Sequence, residues 1–165
     1  MTIPKPTVVN VLATRYASAE MAVIWSAQNK VVLERELWLA VLEAQKDLGI
    51  EIDDDAVAAY RSVIADVDLD SIDRRERVTM HDVKARIEEF SSLAGYQHIH
   101  KGLTSRDLTE NVEQLQIKLS LALTQERLVA VIARLAELAV QYQDTSITGR
   151  SHNVPAQMTT LGKRF

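Results

Sequence analysis

An all-α fold is predicted by three features of the sequence: where its helix breakers fall, how its apolar residues are spaced, and how little of it alternates. The five glycines (Gly49, Gly95, Gly102, Gly149 and Gly162) and the three prolines (Pro4, Pro6 and Pro155) lie at segment boundaries or near the chain ends. The stretches between them are free of the residues that usually stop a helix. Within those stretches apolar side chains recur every three or four positions, the spacing of one helix face. No segment alternates polar and apolar residues long enough to read as a half-buried strand.

Taken in order, residues 1–17 read as an extended arm, with Pro4, Pro6 and the β-branched run Thr7-Val8-Val9. Ser18 has the side chain of an N-cap for a short helix reaching Trp25, and Glu20 sits near its positive end. A longer helix is predicted over 29–48. Leu33, Leu37, Val41, Ala44 and Leu48 form its stripe, and Gly49 supplies the stop. Asp53, Asp54 and Asp55 load the start of the next helix, whose apolar positions are Val57, Tyr60 and Ile64. Residues 70–77 read as a charged short helix or turn. Residues 81–93 are helical again, with Val83, Ile87 and Phe90 on one stripe and Gly95 beyond. The stretch 96–104 is irregular.

Ser105 opens the longest element, expected to run to about residue 143 without a kink because it holds no proline or glycine. Its inward stripe is Leu108, Val112, Leu115, Leu119, Ala122, Val129, Ala133, Ala136 and Val140. At 1.5 Å per residue such a helix is roughly 58 Å long, too long for one small globule to bury. Helices of that length live in elongated bundles or oligomers. The run Ala156-Gln157-Met158-Thr159-Thr160-Leu161-Gly162-Lys163 reads as the start of a further helix, so Phe165 is expected inside it and the sequence as the front part of a larger protein.

A composition of 47% hydrophobic and 25% charged residues is that of a folded globular chain. The net charge of −4 gives no basic footprint, which argues against nucleic acid as the main partner. The absence of cysteine excludes disulfide scaffolds, thiol nucleophiles and thiolate metal sites. The first residues lack a signal-peptide core, and no apolar run approaches the ~20 residues that span a membrane. The expectation is a soluble, cytoplasmic protein without a membrane partner.

Four histidines are the first candidates for chemistry: His81, His98, His100 and His152. The pair His98 and His100 has a spacing that suits a shared metal on an extended segment. No third ligand or known motif completes a set, so no metal and no cofactor is expected. Thr79-Met80-His81-Asp82 puts a histidine and a carboxylate at a helix start. This reads either as plain capping by Thr79 or Asp82, which the residues alone favour, or as an anion site. Thr104-Ser105-Arg106-Asp107 is another loop feeding a helix, with two hydroxyls. It is either a carboxylate cradle or a cap, with Ser105 as N-cap and Asp107 in the first turn. His152, in a polar loop behind Gly149, Arg150 and Ser151, is the best candidate for acid–base work, because imidazole titrates near neutrality.

These segments, with Arg15-Tyr16 before them and Gly149-Arg150-Ser151-His152 after, resemble the fumarase/aspartase superfamily and, within it, the adenylosuccinate lyases. Arg15-Tyr16, Thr79 to Ala85, His100 to Asp107 and Gly149 to His152 occur in that family's order, and the likeness spans residues 10–165. The resemblance implies a helical N-terminal domain over 1–104. After it, over 105–165, comes the incomplete start of a central bundle that assembles as a homotetramer. It implies β-elimination of fumarate from adenylosuccinate to give AMP, and from the related succinyl-carboxamide ribotide. Carried over residue by residue, Arg15 and Tyr16 hold the substrate phosphate, and His81, Asp82 and His100 line the nucleotide region. Thr104 and Ser105 hold a succinyl carboxylate, Ser151 lies beside it, and His152 is the general acid for the leaving nitrogen. Two departures stand out. Met80 replaces the arginine or asparagine usual before the His-Asp pair, and a thioether donates no hydrogen bond. The family's signature loop with its serine base matches none of these residues, so the chain alone is expected to be inactive and to self-associate.

Overall fold

The computed structural model describes residues 10–165; the prolines and β-branched run of the expected arm lie outside them. The described residues form α1 (Ala19–Ile24), α2 (Ala27–Asp47), α3 (Asp54–Ser62), α4 (Leu69–Thr79), α5 (Asp82–Ala94) and α6 (Ser105–Gln141), then a hairpin of β1 (Ser146–Ser151) and β2 (Val154–Thr160). The fold is helical, with the hairpin a minor addition. Contacts divide the chain into two compact units, one ending at Ser120 and the other spanning Leu121–Phe165.

Local chemistry sets the helix ends. Ser18, Ser26 and Asp68 accept hydrogen bonds from the backbone N–H groups of Met21, Asn29 and Ser71, satisfying donors that a first turn otherwise leaves unpaired. Gly95 ends α5 at φ 77°, a left-handed conformation in which glycine carries no Cβ penalty. The expected extended arm gives way at its end to a short π-helical segment, Leu12–Tyr16. The Asn10 side chain starts it by accepting from the N–H groups of Leu12 and Ala13 at 3.0 and 3.3 Å.

The core of the first unit gathers Trp38, Leu39 and Leu42 of α2 with Ile52, Ala56, Tyr60, Val83, Phe90, Ile99 and Leu108. Side chains such as Trp38, Phe90 and Leu108, at most 1% exposed, stabilise the fold by roughly 1.5–3 kcal/mol each. The stripe predicted for α2 is rotated from the one observed. The inward face is Val31, Leu33, Glu34, Arg35, Trp38, Leu39 and Leu42, with Leu37 packed against the core, so Leu33 and Leu37 of the expected stripe face inward while Leu48 is exposed. Two charged residues in the middle of that face hide it from an apolar count.

Those charges are buried because they are paired. The Arg35 guanidinium donates to the carbonyls of Val63 (2.7 Å) and Ile64 (2.9 Å) and to the Glu89 carboxylate (2.5 Å), and lies 4.6 Å from the Phe90 ring centroid. The other Glu89 oxygen accepts from the Asp68 N–H at 3.2 Å. This one arginine closes the α3–α4 connection onto α2 and α5. Gln116 of α6 is buried too, donating to the Ile24 carbonyl at the end of α1 at 2.7 Å.

The predicted long helix runs unbroken over 37 residues. Its stripe is buried only in the first turns, at Leu108 and Val112, joined by Gln116; Leu115, Leu119, Val129 and Val140 are exposed.

The second unit corrects the expected helix after Pro155. Val154–Thr160 is instead a strand, antiparallel to β1, with Ser146 opposite Thr160 and Ser151 opposite Val154. The residues Ala156-Gln157-Met158 suit a helix, but Thr159 and Thr160 are β-branched, and β1 supplies the partner a lone sequence window cannot show. His152 and Asn153 form the two-residue turn, both with positive φ, as the twist of a tight hairpin requires. A register irregularity falls between Thr148 and Arg150. Gly149 sits there, where a Cβ would meet the Gln157 carbonyl at 3.0 Å. Backbone bonds from Leu161 to Thr145 and from Gly162 to Tyr142 tie the end of the hairpin to the chain after α6.

Candidate active site

In the first unit the starts of α5 and α6 meet. His81 is the N-cap of α5: its Nδ1 accepts from the Lys84 N–H at 3.3 Å, a role the sequence had suggested for Thr79 or Asp82. Its Nε2 lies 3.3 Å from the Ser105 hydroxyl oxygen, across 24 residues of sequence. With Nδ1 accepting, the neutral ring carries its hydrogen on Nε2. The Asp82 carboxylate lies beside the ring, 3.6 Å from Nδ1, and pairs with Arg86 one turn along α5.

His100 is held in a similar way by a different donor. The Trp38 indole N–H donates to His100 Nδ1 at 3.0 Å, and the two rings stand edge to face with centroids 5.9 Å apart. Burial pushes the His100 pKa below its usual 6.5; the Asp107 carboxylate opposes this and His81 adds to it. His100 is therefore held toward its neutral form, again with Nε2 as the donor. His98, the other half of the pair, instead places Nδ1 3.5 Å from the Lys101 ammonium. Among the described residues no group of three His, Asp or Glu side chains is placed to hold a metal.

At the start of α6 the two hydroxyls differ. Asp107 accepts from the Thr104 N–H at 2.7 Å and from its hydroxyl at 3.2 Å. Thr104, not Ser105, therefore sits where the cap belongs, and Ser105 faces His81. Arg15 and Tyr16 lie on the π-helical segment with Tyr16 largely exposed, and among the described residues no hydrogen bond or ion pair joins them to this cluster. In the second unit, Ser151 closes β1 and His152 occupies the exposed hairpin turn. The Arg150 guanidinium donates to the Asn153 carbonyl at 3.1 Å, across that turn.

One backbone feature recurs in these segments. Among the described residues, those other than glycine with positive φ are Met80 (53°), His100 (63°), His152 (47°) and Asn153 (63°). Each is a candidate residue or the neighbour of one. At Met80 this conformation ends α4 and at His152 and Asn153 it makes the hairpin turn, whereas His100 adopts it in the loop before α6. Sequence reading missed Trp38, Glu34 and Arg86, which hold the cluster from behind. Only the Asp82–Arg86 spacing of four residues was a visible signal.

A lyase family model matches residues 12–165. The adenylosuccinate lyase of Saccharomyces cerevisiae is 37% identical over 158 residues, covering 93% of this chain and 33% of the yeast protein. That of Schistosoma mansoni is 33% identical, covering 94% of this chain and 33% of its own length. The chain thus spans about a third of these relatives. Among solved structures, a fumarate lyase from Mesorhizobium sp. BNC1 superposes with a TM-score of 0.76 at 29% identity, over 90% of this chain and 36% of that one. The 3-carboxy-cis,cis-muconate lactonizing enzyme of Pseudomonas putida gives a TM-score of 0.80 at 20% identity, over 93% of this chain and 37% of that one, and shares the fold.

Proposed function

The chain belongs to the lyase family, and from that premise we propose that it carries the substrate-holding groups and the general acid of an adenylosuccinate lyase. The observation that carries the reading is the 3.3 Å approach of His81 Nε2 to the Ser105 hydroxyl. It joins two sequence segments, each resembling a substrate-binding motif of that family, at the starts of two helices whose free N–H groups favour anions.

In the proposed reaction a base takes the proton on the carbon next to a succinyl carboxylate. The electron pair forms the double bond of fumarate, the C–N bond breaks, and an acid protonates the departing nitrogen of AMP. The same chemistry applies to the succinyl-carboxamide ribotide. His152 is the acid, and Ser151 lies beside it. Ser105 holds a succinyl carboxylate, with Thr104 anchoring the helix start beneath it. His81, Asp82 and His100 line the nucleotide region, and Arg15 with Tyr16 hold the phosphate. The carbon base comes from residues outside these 165, within a homotetramer of the full-length enzyme in the cytoplasm. That division makes the 165-residue chain inactive by itself.

The test is fumarate release, followed by absorbance, from adenylosuccinate and from argininosuccinate in a full-length enzyme carrying these residues. Turnover of adenylosuccinate with none of argininosuccinate supports the proposal; the reverse preference overturns it. Brisk turnover by the 165-residue chain alone would show that the base lies within it.

A further inference from the structure

We propose that Arg86 is a positioning residue that fixes the tautomer of His81 by engaging one oxygen of the Asp82 carboxylate, whose other oxygen lies 3.6 Å from His81 Nδ1. The inference rests on the functional reading above only for why His81 matters; its geometry stands apart from it.

Arg86 lies on α5 with a side chain 10% exposed, between two carboxylates. Its Nη1 donates to Glu34 of α2 at 2.8 Å, its Nη2 pairs with Asp82, and its Nε donates to the Asp82 carbonyl at 3.3 Å. Glu34 is fully buried, and its second oxygen has no hydrogen-bond partner. Burial pushes the Glu34 pKa above its usual 4.5, with Asp82 adding to the rise while Arg86 and Lys30 oppose it. The Nη1 bond to the buried Glu34 and the Nε bond to the Asp82 carbonyl together hold the guanidinium in one orientation. That orientation points the fork at Asp82.

The consequence falls on His81. Its Nδ1 has two possible partners: the Lys84 N–H at 3.3 Å, for which Nδ1 must be an acceptor, and the Asp82 carboxylate at 3.6 Å, for which it must be a donor. A free carboxylate at that distance draws the ring hydrogen onto Nδ1 and breaks the cap. Held by Arg86, Asp82 competes less, Nδ1 stays an acceptor, and Nε2 keeps the hydrogen that faces Ser105. A lysine cannot substitute here. It is a point charge without the planar fork that meets two carboxylates at once.

The test is ¹⁵N NMR of the His81 ring in the 165-residue chain at a pH where it is neutral, with core amide signals as the control for folding. Wild type shows one tautomer, with hydrogen on Nε2. Arg86→Lys loses that single-tautomer signature, and adding Asp82→Asn restores it, a rescue that a merely structural role does not predict. Should Arg86→Lys not fold, Glu34→Gln with Arg86→Met removes both buried charges together, which cores tolerate far better than removing one. It too shifts hydrogen onto Nδ1. An unchanged single tautomer in the folded variants overturns the proposal, as does failure of Asp82→Asn to restore it. A parallel titration of a full-length enzyme carrying these residues with fumarate and AMP separates the two ideas. Absence of binding there counts against the lyase reading of the site and leaves the tautomer result standing.

Discussion

The two units hold their histidines by opposite means. In the unit ending at Ser120, His81 and His100 are fixed through side-chain bonds to Nδ1, from a helix N–H in one case and a buried indole in the other. In the unit from Leu121 onward, His152 is fixed by its backbone. It sits in a two-residue turn with φ 47°, exposed, and no hydrogen bond reaches its ring among the described residues. A ring pinned at one nitrogen presents a constant donor, which suits holding a substrate. An exposed ring with no such bond is left open to meet a leaving group, the position a general acid needs. The energetics follow the same division. The first unit encloses buried ion pairs within its apolar core, whereas the second exposes the apolar residues of the later turns of α6.

The sharpest way to break that contrast is to remove a buried charge from the first unit. Arg35→Met leaves Glu89 uncompensated in the core and is expected to cost about 3–5 kcal/mol. Leu128→Ala, at a position 56% exposed in the second unit, is expected to stay within about 0.5 kcal/mol. Urea midpoints read by tryptophan fluorescence compare them, and similar losses would erase the distinction. Trp38→Phe keeps most of the packing but removes the donor to His100 Nδ1. The expected loss is about 1–2 kcal/mol, together with a mixed His100 tautomer by ¹⁵N NMR.

The pH dependence sharpens the comparison further. Because burial holds the His100 pKa below 6.5, the unfolded chain binds that proton more readily than the folded one. The contribution of His100 to stability is therefore complete above its unfolded value. It is lost as the pH falls below about 6.5 toward the depressed folded value. His100→Asn, which tolerates the left-handed backbone, is expected to flatten the fall in urea midpoint between about pH 7 and 5.5. The smallest effect belongs to the hairpin. Asn153→Gly, at φ 63°, favours the turn and is expected to raise thermal stability of the second unit by about 0.5 kcal/mol; a loss would mean that the asparagine side chain supports the turn.

How far the sequence foretold this depends on whether a signal was local. Caps at Ser18, the stop at Gly95 and the unbroken run from Ser105 are written in neighbouring residues, and all are present. The face of α2 was not legible, because Glu34 and Arg35 belong to the core only by virtue of partners on α5 more than fifty residues away. The hairpin was not legible for a related reason. Ala156 to Met158 suit a helix, and only pairing with β1 makes them strand. At the candidate site, the motifs marked His81, His100 and Ser105. The contact between His81 and Ser105, and the Trp38 bond behind His100, exist only once the helices pack.

The central claim is that the first unit binds and the second transfers the proton, and steady-state kinetics on a full-length enzyme carrying these residues test it most directly. Ser105→Ala is expected to raise KM for adenylosuccinate with kcat little changed, since it removes a contact made to substrate and transition state alike. His152→Ala is expected to lower kcat by about 10²- to 10⁴-fold, the range for losing a general acid, with KM little changed. That split supports the division of labour between the two units. Near-normal kcat in His152→Ala, or a collapse of kcat in Ser105→Ala with KM unmoved, contradicts it.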